Sequence, residues 1–243
     1  WEGEAPEWQE GHRAAVNVVT FWGETMISVG DDNTVRTWPG GAVIGEHTAK
    51  VVELATSETH VASASWDARI GLWHKDGQGV YLSGHQQGVN SVVFSGDGKT
   101  LYSASVDGTI RIWDVETGQE KQVLAKHGFG INKLILNEAE GWLAYGASDG
   151  GTRLIDPLTA EQVADFTLDR RPILSIAYEE GGNLAVGDGQ GYIMVIDTNE
   201  MTITRDFRAT ARGPIWALAF SPDGQNIFAG GIEDIVYSWP LAT

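Results

Sequence analysis

Histidine, serine and aspartate occur together three times in this 243-residue chain: His12, Ser28 and Asp32; His47, Ser63 and Asp67; His85, Ser103 and Asp107. One such set has the residue types of a hydrolase triad, in which an imidazole takes the serine proton and a carboxylate holds the imidazole in its working tautomer. Three sets at matching spacing argue against that chemistry, because an active site is needed once. A tryptophan closes each set, at Trp38, Trp73 and Trp113. The chain has no cysteine, which excludes disulfides, thiolate nucleophiles, haem attachment through C-x-x-C-H and cysteine-ligated zinc or iron–sulfur sites. GDGQGY, from Gly187 to Tyr192, has the spacing of a phosphate-binding glycine loop. No helical pattern follows it, so a turn between strands explains its glycines. DDNT and SDGG hold carboxylates spaced as at the start of a calcium loop, without the remaining positions or the terminal glutamate of one. No metal and no cofactor is assigned to this chain.

A repeat positions these residues. Tryptophans at 1, 38, 73 and 113, with Ile155, Ile196 and Trp239 in the matching places, recur about every 35 to 43 residues, the period of a propeller blade. The third unit is the clearest: GHQQGVNSVVF, SGDGKT, LYSASV, DGTIRIWD and VETGQEKQVLA are alternating or continuous apolar strands separated by glycine turns. The other units start at Gly11, Glu46, Lys126, Leu168 and Ala211, and no segment holds a long 3.6-residue period. The chain resembles the WD40-repeat family, whose blades carry Gly-His before the inner strand, Asp in a tight turn and Trp-Asp at the end of the third strand. That resemblance implies an all-β propeller of four-stranded antiparallel blades, six repeats in one domain over 1–243. It also implies that His, Ser, Asp and Trp of a blade form a buried hydrogen-bond relay, satisfying a carboxylate that needs donors in a β core. Propeller symmetry would spread His12, His47, His85 and His127 around a ring and not converge them on one ion. The last three units depart from the pattern. The fourth has His127, Tyr145, Asp149 and Ile155, the fifth Asp169, Val186, Gln190 and Ile196, the sixth Ala211, Ala229, Glu233 and Trp239. Apolar packing is expected to hold these three.

A net charge of −17 and a pI near 4.6 disfavour nucleic acid and anionic membrane as partners. No run approaches the roughly 18 apolar residues of a membrane span. The acidic N-terminus is unlike a secretory signal, and a removed leader is left open. A protein or an acidic ligand is the expected partner. The loops before the inner strands hold Arg13, Lys50, Phe129, Arg170, Arg171 and Arg212, a basic rim on an acidic body. Trp66 stands in the turn between second and third strands, where the other units have Asp31, Val106, Ser148, Gly189 and Ile232. Exposed tryptophan with arginine is the composition of interface hot spots. Trp66, Phe129, Arg170, Arg171 and Arg212 are therefore the candidate docking face.

IVYSWPLAT reads as a third strand and the opening EGEAPEWQ as a fourth. Pairing residues 4–9 with 235–240 would close a six-bladed ring and cover a sheet edge. The alternative is a truncated seven-bladed parent whose open edges invite a dimer. ASWDARIGLW, GWLAYGASDGG, LDRRPILSIA, VGDGQGYIMVID and RGPIWALAFSPDGQNIFAGG resemble the WD40 domain of bacterial proteins that carry a C-terminal cytochrome c domain. That resemblance implies a periplasmic location and a recognition module of an electron-transfer protein, although no haem motif is present here. The expected function is a non-catalytic protein-interaction scaffold, not an enzyme. The alternatives are an enzyme or small-ligand-binding propeller using its central channel, and an engineered or truncated propeller studied for folding.

Overall fold

Short strands and tight turns dominate because apolar residues alternate with polar ones over five to seven positions and a turn former interrupts each run. The computed structural model describes residues 10–167 and 171–241. Among the described residues every regular element is a strand. The first blade is β1 (Val16–Trp22), β2 (Thr25–Gly30), β3 (Thr34–Trp38) and β4 (Ala42–Glu46); the second is β5 (Val51–Thr56), β6 (His60–Ser65), β7 (Arg69–His74) and β8 (Gly79–Ser83). The third is β9 (Val89–Phe94), β10 (Thr100–Ser105), β11 (Thr109–Asp114) and β12 (Glu120–Lys126); the fourth is β13 (Ile131–Asn137), β14 (Trp142–Ala147), β15 (Gly151–Ile155) and β16 (Gln162–Thr167). The fifth is β17 (Ile173–Glu179), β18 (Asn183–Asp188), β19 (Tyr192–Asp197) and β20 (Thr202–Arg208); the sixth is β21 (Ile215–Phe220), β22 (Asn226–Gly231) and β23 (Val236–Pro240). In every sheet the strands lie side by side in chain order. The last sheet has three strands among the described residues, and residues 4–9, expected to pair with 235–240, lie outside them.

The described residues fall into two compact units, those up to 103 with 112–121, and 104–111 with those from 122 on. The first unit buries Val29, Val35, Val51, Val61 and Trp73 in one cluster, and Ile70, Val89, Leu101 and Trp113 in another. The Trp73 indole fits because glycines line its slot. A Cβ on Gly45, Gly71 or Gly79 would come within 2.3 Å of the ring. The second unit centres on Trp142, Leu154, Ile173 and Leu184, and on Ile193, Ile215 and Ile227. There Ile173 packs over Gly146 and Ile215 over Gly187, in space that a Cβ would fill.

Two backbone devices recur. The turn between second and third strands needs a left-handed residue, supplied by Asn33, Ala68, Gly108, Gly150 and Gly191 at φ of 67, 69, 78, 88 and 90°. The pairing of inner and second strands shifts by one residue near its start, at Asn17, Val52, Asn132, Leu174 and Trp216. Such bulges re-aim a side chain away from the sheet face. The same stretch is tied to the turn by repeated amide bonds, Asp31 to Ala15 O, Trp66 to Lys50 O, Ser148 to Gly130 O and Gly189 to Pro172 O, at 2.8–3.0 Å. Loop and turn of one blade thus form one piece of surface.

Candidate functional site

In the first blade, Trp38 Nε1–H donates to Ser28 Oγ at 2.7 Å, the Ser28 hydroxyl donates to His12 Nε2 at 2.7 Å, and His12 Nδ1–H donates to Asp32 Oδ1 at 2.9 Å. In this assignment the imidazole proton sits on Nδ1, toward the carboxylate, and Nε2 accepts from the hydroxyl. Asp32 also accepts the Arg13 and Thr34 amides and the Thr34 hydroxyl. The second blade repeats the chain from Trp73 through Ser63 and His47 to Asp67 at 3.0, 2.9 and 3.0 Å. In the third, Trp113 donates to Ser103 at 2.8 Å and Ser103 to His85 at 2.7 Å. In the second unit Asp107 accepts the amide and hydroxyl of Thr109.

Burial alone would push the Asp67 carboxyl up. The Thr48 amide, the Arg69 guanidinium and His47 nevertheless hold it at about 2. Asp32 lies well below the usual carboxylate range by the same competition. Burial pushes His47 below its ordinary value against the pull of Asp67. The donor order is that of a hydrolase triad, but Ser28, Ser63 and Ser103 are buried and each already accepts an indole N–H. No substrate carbonyl can approach such a hydroxyl.

The fourth and fifth blades correct the expectation of apolar packing. Tyr145 donates its hydroxyl to His127 Nε2 at 2.6 Å, and burial pushes that phenol up to about 12. Arg153 bridges Asp149 at 2.8 Å and Asp165 at 2.9 Å across β15 and β16. In the fifth blade Arg171 pairs with Asp188 at 3.0 Å and lies over the Tyr192 ring at 4.1 Å. In both blades a guanidinium supplies donors to a carboxylate, at the relay position in the fourth (Asp149) and two residues before it in the fifth (Asp188). Val186, Ile155 and Ile196 pack in the core, while Gln190 sits in the turn below Asp188. In the sixth blade Ala229 is buried beside Trp239, and Glu233 accepts the Tyr237 hydroxyl at 2.6 Å. Asp169 lies outside the described residues.

Of the docking candidates, Trp66 is 51% exposed, with the Lys50 ammonium 3.6 Å above its ring and its Nε1–H donating to Asn90 at 3.2 Å. Phe129 and Arg212 are exposed in the second unit. Arg171 is held inside by its ion pair, and Arg170 lies outside the described residues. Sequence reading missed Trp216, 60% exposed at the bulge of the last blade. At that position Asn17 and Asn132 instead donate to Val51 O and Ile173 O of the following blade. A tryptophan where aligned units carry asparagine was the available signal.

The family model for the WD domain, G-beta repeat, matches residues 78–114 and 202–239. The nuclear distribution protein nudF of Aspergillus niger is 34% identical over 172 residues, 65% of this chain and 39% of its own length. WD repeat-containing protein 90 of Xenopus tropicalis is 25% identical over 201 residues, 82% of this chain and 10% of its own. The chain spans half or less of the length of the curated relatives it matches first. Among solved structures, the computationally designed Ika8 protein superposes with a TM-score of 0.81 at 24% identity, over 96% of this chain and 73% of that one. These findings overturn the expected periplasmic location, since the relatives come from a fungus, a flatworm and vertebrates, whose cells have no periplasm. They lend no support to a bacterial cytochrome c association. With two repeats matched by the family model, WD-repeat relatives across much of the chain and the fold of a designed protein, the chain is similar to WD-repeat proteins and has an all-β fold of antiparallel four-stranded blades.

Proposed function

We propose that this chain is a protein-interaction scaffold without catalytic chemistry of its own, and that the loop-and-turn surface of its second blade is a docking point. The carrying observation is Trp66, a half-exposed indole capped by the Lys50 ammonium at 3.6 Å and fixed by Asn90. An aromatic held on a rigid turn loses little entropy when a partner covers it, and a cation on its face offers a site for one carboxylate. A net charge of −17 repels a strongly acidic partner over distances beyond the contact. The fitting ligand is therefore a protein segment with an apolar anchor beside a single acidic residue.

Peptides of that pattern, fluorescently tagged and titrated with the intact chain by anisotropy, test the assignment. Trp66→Ala should weaken binding by about 2 kcal/mol, roughly thirtyfold, with the thermal melt unchanged. Lys50→Glu should weaken only peptides that carry the carboxylate. Equal binding by wild type and Trp66→Ala would remove this surface from consideration.

A further inference from the structure

Four of the six histidines, His12, His47, His85 and His127, bond into the buried relays. His60 and His74 do not. They stand directly opposite each other on β6 and β7. The His74 amide bonds outward to Gln78 O, while the Lys75 amide bonds to Thr59 O. The pair is therefore of the non-hydrogen-bonded kind, in which opposed backbones approach to about 4.5 Å and side chains stand closest. Their ring centroids lie 4.7 Å apart at 60°. Two imidazoles bound to one ion at about 2.0–2.1 Å, with a near right angle between them, place their centroids about 4.5–5 Å apart.

Each ring has an oxygen at its Nδ1: Thr59 Oγ1 at 2.9 Å for His60, and Asp76 Oδ1 at 2.9 Å for His74. With Nδ1–H donating to Thr59 Oγ1, His60 Nε2 carries the free lone pair, the arrangement that orients metal-binding imidazoles, while His74 Nδ1 faces both Asp76 Oδ1 and the Asp76 amide, the latter at 3.3 Å. Both rings line a hollow of about 370 Å³ in the first unit, together with Asp76, Gln78 and Glu116. The carboxylates beside it, in a strongly acidic chain, concentrate cations locally.

We propose that His60 and His74 form an open two-imidazole site for a borderline divalent cation, Cu²⁺ ahead of Ni²⁺ and Zn²⁺. The preference follows the stability order of nitrogen ligands. Among the described residues no group of three or more His, Asp or Glu side chains surrounds one point. Two positions are therefore held by protein and the rest by water, as in exchangeable rather than structural sites.

Cu²⁺ is the probe, titrated into the intact chain with electron paramagnetic resonance and calorimetry as readouts. One equivalent should bind with coupling to two nitrogens, and Zn²⁺ should compete for it. His60→Ala and His74→Ala should each weaken binding at least about tenfold and reduce the nitrogen coupling. Circular dichroism melts check that the variants fold. If His60→Ala does not fold, His74→Gln on the more exposed ring decides. A wild type that binds no stoichiometric Cu²⁺, or a folded His74 variant that keeps both affinity and two-nitrogen coupling, overturns the proposal.

Discussion

At His47 and Asp67 the relay couples stability to protons in a direction that can be worked out. His47 sits below its ordinary value, so the unfolded chain takes up its proton at a higher pH than the folded one. Stability therefore falls as pH falls through about 6.5. His127, lowered by burial first and Arg153 second, acts in the same sense. Asp67, at about 2, contributes stability that is complete above its unfolded value near 3.9 and is lost as pH drops from there toward 2; a shift of this size is about 2–3 kcal/mol. Acidification also relieves the self-repulsion of a −17 chain, so the measurement belongs at about 0.3 M salt, where surface charges are screened. The melting temperature should be flat near pH 8, decline from about 6.5 to 5, and fall steeply below 4. A melt that rises between pH 7 and 5 would contradict the neutral relay imidazoles. Ser63→Ala isolates the hydroxyl: it leaves the Trp73 N–H and His47 Nε2 without their shared partner in a fully buried place, an expected loss of about 2–3 kcal/mol in denaturant unfolding.

At the scale of the element, the turn between second and third strands makes the same demand in five blades, and Ala68 meets it least well. Its φ of 69° costs an L-residue with a Cβ about 1–2 kcal/mol, while Gly108, Gly150 and Gly191 take the conformation freely. Ala68→Gly should raise unfolding free energy by about 0.5–1 kcal/mol after the added unfolded-state entropy of glycine; a lower denaturant midpoint for the variant would show that the Ala68 methyl makes a contact worth more than the strain. The blade pattern was legible because strands, turns and the His, Ser, Asp and Trp of each relay recur at fixed offsets within about forty residues. The Arg153 bridge was less so. Asp and Arg recur four apart at Asp32 and Arg36, Asp107 and Arg111, Asp149 and Arg153, which was a usable signal. That Arg153 also meets Asp165 depends on the pairing of β15 with β16, which local pattern does not set. The exposure of Trp216 follows from a bulge, and a bulge is a property of register between two strands. The described parts of the short strings that suggested a periplasmic protein lie largely in strands and turns, where blade geometry constrains residue choice whatever the source.

At the scale of the molecule, blade faces that are packed in the middle of the chain are bare in its first and last blades. Val51 and Leu54 of the second blade are buried, whereas Val19, at the place of Leu54, is 54% exposed, and Val16 and Phe21 are exposed with it. In the second unit, Gly146 and Gly187 receive Ile173 and Ile215 of the next blade, while at Gly230, the next glycine of the same series, no described residue lies within 4 Å of where a Cβ would stand. Exposed apolar side chains offered by one copy to a different face of another give head-to-tail contact without built-in closure. Two opposing terms decide whether copies associate. Burying these apolar side chains gains about 25 cal/mol per Å², and bringing together two chains of −17 each costs more the less the charges are screened. Self-association should therefore increase with salt: light scattering at fixed protein concentration should give a near-monomer mass at about 20 mM salt and a rising mass by about 500 mM. Val19→Glu, which places a carboxylate on the bare face and breaks no buried contact, should hold the mass at that of the monomer at both. A mass that falls as salt rises would instead mark contacts between charged groups, and would turn attention from the bare faces to the exposed cations Arg13 and Arg212.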